Sequence, residues 1–158
     1  MGGVIMKMAI GSDRSTVLTN EIIAYLEEKN INLVRCGALA GKDVDYVDAA
    51  EETARLVSSK ECEQGVLFCN TGTGASIIAN KLPNVRAALC IDAYSAQIAK
   101  KANNANVIVL GIRLTGIPHA KEIIDKWLET EPANKLPYIR FHEKTEEIEK
   151  RYRRGETD

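Results

Sequence analysis

Cys69 closes an apolar run and opens a turn of two threonines and two glycines, in the segment GVLFCNTGTGASIIANK that spans residues 65–81. These residue types, in this order, suit proton transfer. A strand running through such a turn into a helix gathers backbone N–H groups and the positive end of the helix dipole around one point, where anionic oxygen is stabilised. A cysteine at the rim of that point is drawn towards its thiolate, the form that acts as base or nucleophile. The segment therefore offers a proton acceptor beside an anion cradle. It lacks the GxxxxGK[ST] spacing of a nucleotide loop, and its Gly72, Thr73, Gly74 step is shorter than the GxGxxG dinucleotide fingerprint. A plainer reading stands beside it: Cys69 as a small core residue at a strand end, with glycines that only turn the chain.

The elements that must position these residues are visible in the hydropathy pattern. Apolar runs of strand length alternate with amphipathic stretches: MKMAIGS, TNEIIAYLEEKN, INLVRCG, DYVDAAEETARLVSSK, GVLFCN, GASIIANK, VRAALCI, YSAQIAKKAN, VIVLGI and PHAKEIIDKWLET. Five strands, each followed by a helix, predict an α/β fold, a doubly wound five-stranded parallel sheet in a Rossmann-like three-layer sandwich. Ligands of such sheets bind beyond the carboxyl ends of the strands. That directs attention to Ser12, Asp13, Gly37, Cys69 to Gly74, Asp92 and Gly111 to Arg113. The last stretch, PYIRFHEKTEEIEKRYRRGETD, predicts an extra charged C-terminal helix over 139–158, with Ile148 and Tyr152 as its clear apolar anchors. A helix so poor in apolar surface is a solvated tail or packs on a partner subunit.

At 158 residues the chain fits a single domain, 1–158, with a core large enough to need no disulfides or metal. With 21 basic and 22 acidic residues the net charge is -1, which gives no general reason to bind nucleic acid or a membrane surface. Any anion site is therefore local. Cys36, Cys62, Cys69 and Cys90 show no CxxC spacing, against a zinc site or a disulfide framework. With no secretory pattern at the start and no run of about 18 apolar residues, the expectation is a soluble protein of the reducing cytoplasm.

The segments GSDRS, DYVDAA, CNTGTGASIIANK and SAQIAKKANNANVIVLGIR together resemble the ribose-5-phosphate isomerase B and galactose-6-phosphate isomerase family over nearly the whole chain. The resemblance implies a doubly wound dimer, or a tetramer, that interconverts aldose and ketose phosphates without metal or cofactor and builds each active site from two chains. It implies that Cys69 is the base that moves a proton between the carbons flanking an enediolate. Members that use a glutamate instead carry it where this chain has Ala75. Thr71, Gly72, Gly74 and Ser76 are then the cradle for the developing oxyanion, joined by Asn70 and Thr73 of the same loop. Asp13 and the pair Asp45 and Tyr46 are implied sugar-hydroxyl contacts, although each aspartate could instead cap a helix. Arg113, Arg140 and Lys144 match phosphate contacts, with Lys144 standing where many members have arginine and so lacking its bidentate fork.

Two departures qualify the match. Arg14 follows Asp13 where the family commonly has histidine; it can still contact phosphate but does not titrate near neutrality. Ala102 precedes Asn103 where ribose-5-phosphate isomerases typically carry a histidine thought to open the furanose ring, a residue that galactose-6-phosphate isomerase subunits also lack. His119 and His142 read as surface or capping residues. The leading expectation is an isomerase of ribose 5-phosphate and ribulose 5-phosphate. Its alternatives are isomerisation of galactose 6-phosphate or another hexose phosphate, and a noncatalytic sugar-phosphate binding paralogue.

Overall fold

The computed structural model describes residues 5–153, and over this span the strands and helices alternate as the pattern predicts. Strands β1 (Lys7–Ser12), β2 (Asn32–Gly37), β3 (Gln64–Cys69), β4 (Ala87–Leu89) and β5 (Val107–Gly111) form one sheet in the order β2-β1-β3-β5-β4. Every pairing is parallel. Helices α1 (Val17–Glu28), α2 (Tyr46–Ser58), α3 (Thr73–Ala79), α4 (Ala93–Lys101) and α5 (Ile117–Glu129) supply the crossovers, and α6 (Tyr138–Arg153) follows.

Period-two alternation divides the central strands between two cores. Met8, Ile10, Val66, Phe68, Ile108 and Leu110 face the layer of α1, α4 and α5, whose Ile22, Leu26 and Trp127 are buried against them. Ala9, Leu67, Cys69, Val107 and Val109 face α2 and α3, packing on Ala50, Ala54, Leu56 and Ala75. Both faces of the sheet are thus covered, which explains why the strands read as near-continuous apolar runs.

The chain winds outwards from β1 to β2 on one side and from β3 towards β5 and β4 on the other. The crevice between the carboxyl ends of β1 and β3 is the topological switch point, where ligands of such sheets bind. The GSDRS loop after β1 and the CNTGTG loop after β3 flank it.

The charged C-terminal helix forms, with a start one residue earlier than expected. It begins at Tyr138, and the 154–158 part of the expected 139–158 helix lies outside the described residues. None of its side chains is buried, and Ile139 and Phe141 are exposed apolar groups alongside the expected Ile148 and Tyr152. It is tied to its own chain by polar contacts instead. Arg86 donates to the His142 carbonyl (3.1 Å), the Asn84 amide donates to Glu149 (3.1 Å), and Arg153 donates to the Lys81 carbonyl (2.8 Å).

Candidate active site

Cys69 is the last residue of β3, where its strand leaves the sheet at the switch point, and it is only 6% exposed. Its carbonyl accepts from the Ile112 amide (2.8 Å) and the Asn70 carbonyl accepts from the Arg113 amide (3.0 Å), so the loop after β5 is fastened to the loop after β3. Arg113 is brought beside the cysteine loop in this way, and its side chain has no acidic partner among the described residues. The other three cysteines are spent on packing. Burial pushes the Cys36 thiol up to about 11 and the Cys90 thiol up to about 12, and it also raises Cys62, so these thiols stay protonated at neutral pH.

The turn between β3 and α3 depends on glycine at two positions. Gly72 caps α3 with φ of 87°, a left-handed conformation that favours glycine, and an added Cβ would lie 2.4 Å from Leu89 Cδ1. Gly74 leaves room for Tyr46, whose Cε2 would lie 2.7 Å from a Cβ there. Within the turn, the Thr71 and Thr73 hydroxyls share a hydrogen bond of 2.8 Å, and the Ser76 hydroxyl donates to the Thr73 carbonyl (2.9 Å). The first intrahelical bond runs from the Ser76 amide to the Gly72 carbonyl, so the amides of Gly74 and Ala75 belong to the unpaired first turn and can receive an oxyanion.

Across the crevice, Arg14 and Asp13 form a two-point ion pair, with Nε donating to Oδ1 at 3.1 Å and Nη2 to Oδ2 at 2.8 Å. The Asp13 carboxylate, through that bond and its charge, raises the Arg14 pKa, to which the nearby Cys69 also contributes. Asp13 is therefore no helix cap; Thr16 caps α1 in a capping box with Thr19. Asp45 does cap α2, its Oδ1 accepting from the amides of Val47 (2.9 Å) and Asp48 (3.0 Å), while Oδ2 remains available. Tyr46 follows at the first position of α2 and is 42% exposed. Ser12, buried beneath the loop, accepts from the Arg14 amide through its hydroxyl (3.2 Å) and fixes where that side chain departs.

One chain thus gathers Asp13, Arg14, Asp45, Tyr46, Cys69 to Gly74, Ser76 and Arg113 at the carboxyl ends of the strands. Asn103, Arg140 and Lys144 are elsewhere. Asn103 follows the α4 cap Ala102 and precedes β5, so it lies at the amino end of the sheet, separated from Cys69 by the length of β5, about 15 Å for five residues. Helix α6 is held at that same end, with His142 Nε2 2.9 Å from the Ala102 carbonyl. Arg86 organises this second cluster, donating to the carbonyls of Asn103 and His142 (3.1 Å each) and approaching Glu146 at 3.6 Å. Sequence reasoning missed Arg86, because partners up to 60 positions away leave no local signal. His119 bonds the Ile91 carbonyl through Nε2 (2.7 Å), a structural contact of the kind expected.

Among the described residues, no group of three or more histidine, cysteine or carboxylate side chains is placed to hold a metal ion, and no helix is long and apolar enough to cross a membrane. A family profile described as Ribose/Galactose Isomerase matches residues 8–148. Ribose-5-phosphate isomerase B of Escherichia coli (strain K12) is 38% identical over 123 residues, 77% of this chain and 83% of that one. D-erythrulose-4-phosphate isomerase of Pectobacterium atrosepticum is 39% identical over 149 residues, 90% of this chain and 98% of that one. Among solved structures, the type B ribose 5-phosphate isomerase of Trypanosoma cruzi superposes with a TM-score of 0.87 at 39% identity, covering 94% of this chain and 99% of that chain.

Proposed function

The chain belongs to the ribose/galactose isomerase family and is an aldose–ketose sugar-phosphate isomerase, and from that premise we propose that Cys69 is its base and the 71–76 turn its oxyanion cradle. The observation that carries this assignment is a strand-end thiol at the switch point, joined by a short turn to the unpaired first-turn amides of α3. Proton abstraction beside a carbonyl moves charge onto the carbonyl oxygen, so the base must act where that charge is stabilised. The Cys69 thiolate takes the proton from the carbon next to the carbonyl. The electron pair forms the enediolate double bond, and the amides of Gly74 and Ala75 with the Thr71 hydroxyl hold the oxyanion. The thiol returns its proton to the neighbouring carbon as the hydroxyl proton passes between the two oxygens, giving the isomer with no net change in the protein.

The phosphate is bound by two chains. Arg113 and Arg14 approach from the Cys69 side, whereas Asn103, Arg140 and Lys144 stand at the opposite end of their own sheet and serve the site of a second copy. The exposed Ile91, Tyr94 and Leu114, past the carboxyl ends of β4 and β5 and at the start of α4, support such a contact, as do the exposed Ile77 of α3 and the uncovered apolar groups of α6. The protein is accordingly a homodimer, or a tetramer built from such dimers, working in the cytoplasm. The names of two relatives, a ribose-5-phosphate isomerase B and a D-erythrulose-4-phosphate isomerase, support a pentose 5-phosphate or a four-carbon ketose phosphate as substrate.

Isomerisation of aldose and ketose phosphates in deuterium oxide tests the proposal. Partial deuterium is expected on the carbon that receives the proton, from turnovers in which the thiol exchanges with solvent before returning it, with gel filtration showing a dimer or larger. A product free of solvent deuterium whose formation is also unaffected by replacing Cys69 with Ala would replace the cysteine-base mechanism by a direct shift. Tight binding of sugar phosphates without conversion of any would indicate the noncatalytic paralogue.

A further inference from the structure

Opening a furanose ring requires an acid or base at the hemiacetal, separate from the base that makes the enediolate. General assistance of this kind is worth about 10²- to 10⁴-fold. The two half-sites hold few groups for the task. Cys69 is committed to the carbon acid. Asp13 is locked to Arg14 at both oxygens (3.1 and 2.8 Å), and Asp45 uses Oδ1 on two backbone amides. The chain has two histidines, and both imidazoles are seated on backbone carbonyls, His119 on Ile91 at 2.7 Å and His142 on Ala102 at 2.9 Å. His142 also lies two positions from both Arg140 and Lys144, about 200° around the helix from each, so it faces away from the cationic stripe. Position 102 itself offers only a methyl group.

A site whose Asp13 and two imidazoles are already engaged, and whose Asp45 Oδ2 is taken by a sugar hydroxyl, suits a substrate that arrives open. We infer that the best substrates are four-carbon aldose and ketose 4-phosphates, which cannot form a furanose because the 4-hydroxyl is esterified. This narrowing rests on the shared-site isomerase reading above. Aldopentose 5-phosphates close through their free 4-hydroxyl, and six-carbon 6-phosphates close in both aldose and ketose forms. Triose phosphates stay open but carry no hydroxyl beyond the two reacting oxygens, leaving Asp45 Oδ2 and the Tyr46 hydroxyl without a sugar partner. The placement of Arg14 agrees with a short substrate, since Asp13 clamps this cation on the Cys69 side of the crevice and so draws the phosphate close to the base.

Initial rates of the purified full-length protein test the inference, using erythrose 4-phosphate, erythrulose 4-phosphate, ribose 5-phosphate, ribulose 5-phosphate and glyceraldehyde 3-phosphate. Expected is a kcat/KM for erythrose 4-phosphate at least about tenfold above those for ribose 5-phosphate and glyceraldehyde 3-phosphate, with ribulose 5-phosphate converted readily because it cannot close. Ala102→His should raise the rate from ribose 5-phosphate about tenfold or more and leave that from erythrose 4-phosphate within about twofold. A kcat/KM for ribose 5-phosphate equal to that for erythrose 4-phosphate would overturn the inference. So would a His142→Gln variant that loses ribose 5-phosphate turnover but keeps ribulose 5-phosphate turnover, since it would identify this imidazole as the ring opener. Conversion of ribulose 5-phosphate with no tetrose preference sinks the inference alone; no conversion of any of the five sinks the isomerase reading with it.

Discussion

At the scale of single residues, the distinction between Cys69 and the other cysteines is one of position. All four are buried, but Cys69 alone ends β3 at the switch point with an amide cradle next in the chain. Replacing Cys69 with Ala removes the base and leaves the cradle and the cations, so kcat should fall by about 10²- to 10⁴-fold. Sugar-phosphate affinity measured by calorimetry should be largely retained, and a variant keeping most of its turnover would remove Cys69 from the mechanism. Gly74→Ala tests the fit of Tyr46. The added methyl would meet the Tyr46 ring at 2.7 Å, and because that ring is 42% exposed it can swing aside. The expected result is a raised KM with kcat falling less and melting temperature barely changed; a collapse in stability would show that the ring is locked.

At the scale of elements, two segments carry predictions. The start of α3 is set by Gly72, whose φ of 87° and contact with Leu89 leave no place for a side chain. Gly72→Ala should lose at least about 1–2 kcal/mol from the left-handed backbone alone, measured by denaturant unfolding. It should also impair activity by shifting the amides after it. Helix α6 is the second. It places Arg140 and Lys144 at the amino end of the sheet, away from the Cys69 of its own chain. Mixing Cys69→Ala and Arg140→Ala chains should therefore regenerate one intact site per hybrid dimer, recovering about a quarter of native activity after random reassortment. Hybrids no more active than their parents would mean that each chain's Arg140 serves its own Cys69.

At the scale of the whole molecule, the layer opposite α2 and α3 contains a buried charge that the reaction does not use. Lys100, 4% exposed, donates to Gln64 Oε1 (3.0 Å), which also accepts from Trp127 Nε1 (2.7 Å), and its ammonium lies 4.9 Å from the Trp127 ring. Burial lowers its pKa below the ordinary lysine value. The folded state therefore releases this proton at a lower pH than the unfolded chain does. The burial penalty is present in full below the folded pKa and shrinks as pH rises through it towards the unfolded value. Lys100→Met should thus gain stability relative to the native protein at neutral pH, with the advantage shrinking as melting is followed to alkaline pH. An advantage that widened with pH would mean that the surroundings favour the charged form.

What the sequence determined by itself is local or periodic. The alternation of apolar runs and amphipathic stretches specified five parallel strands with crossover helices, because a sheet covered on both faces needs strands that are apolar on both. The turn after Cys69 was legible because glycine at a left-handed position and small residues at a helix start have few structural alternatives. Tertiary structure alone decided the rest. Whether Asp13 or Asp45 capped a helix depended on the path of each loop: Thr16 took the first cap, Asp45 took the second, and Asp13 paired with Arg14. The strand order, which puts β5 between β3 and β4, brings Arg113 to the cysteine loop. The direction of α4 and β5 leaves Asn103 and Arg86 at the far end. These are contacts between residues distant in sequence, fixed by how layers pack and not by any local preference, and so no spacing in the chain announces them.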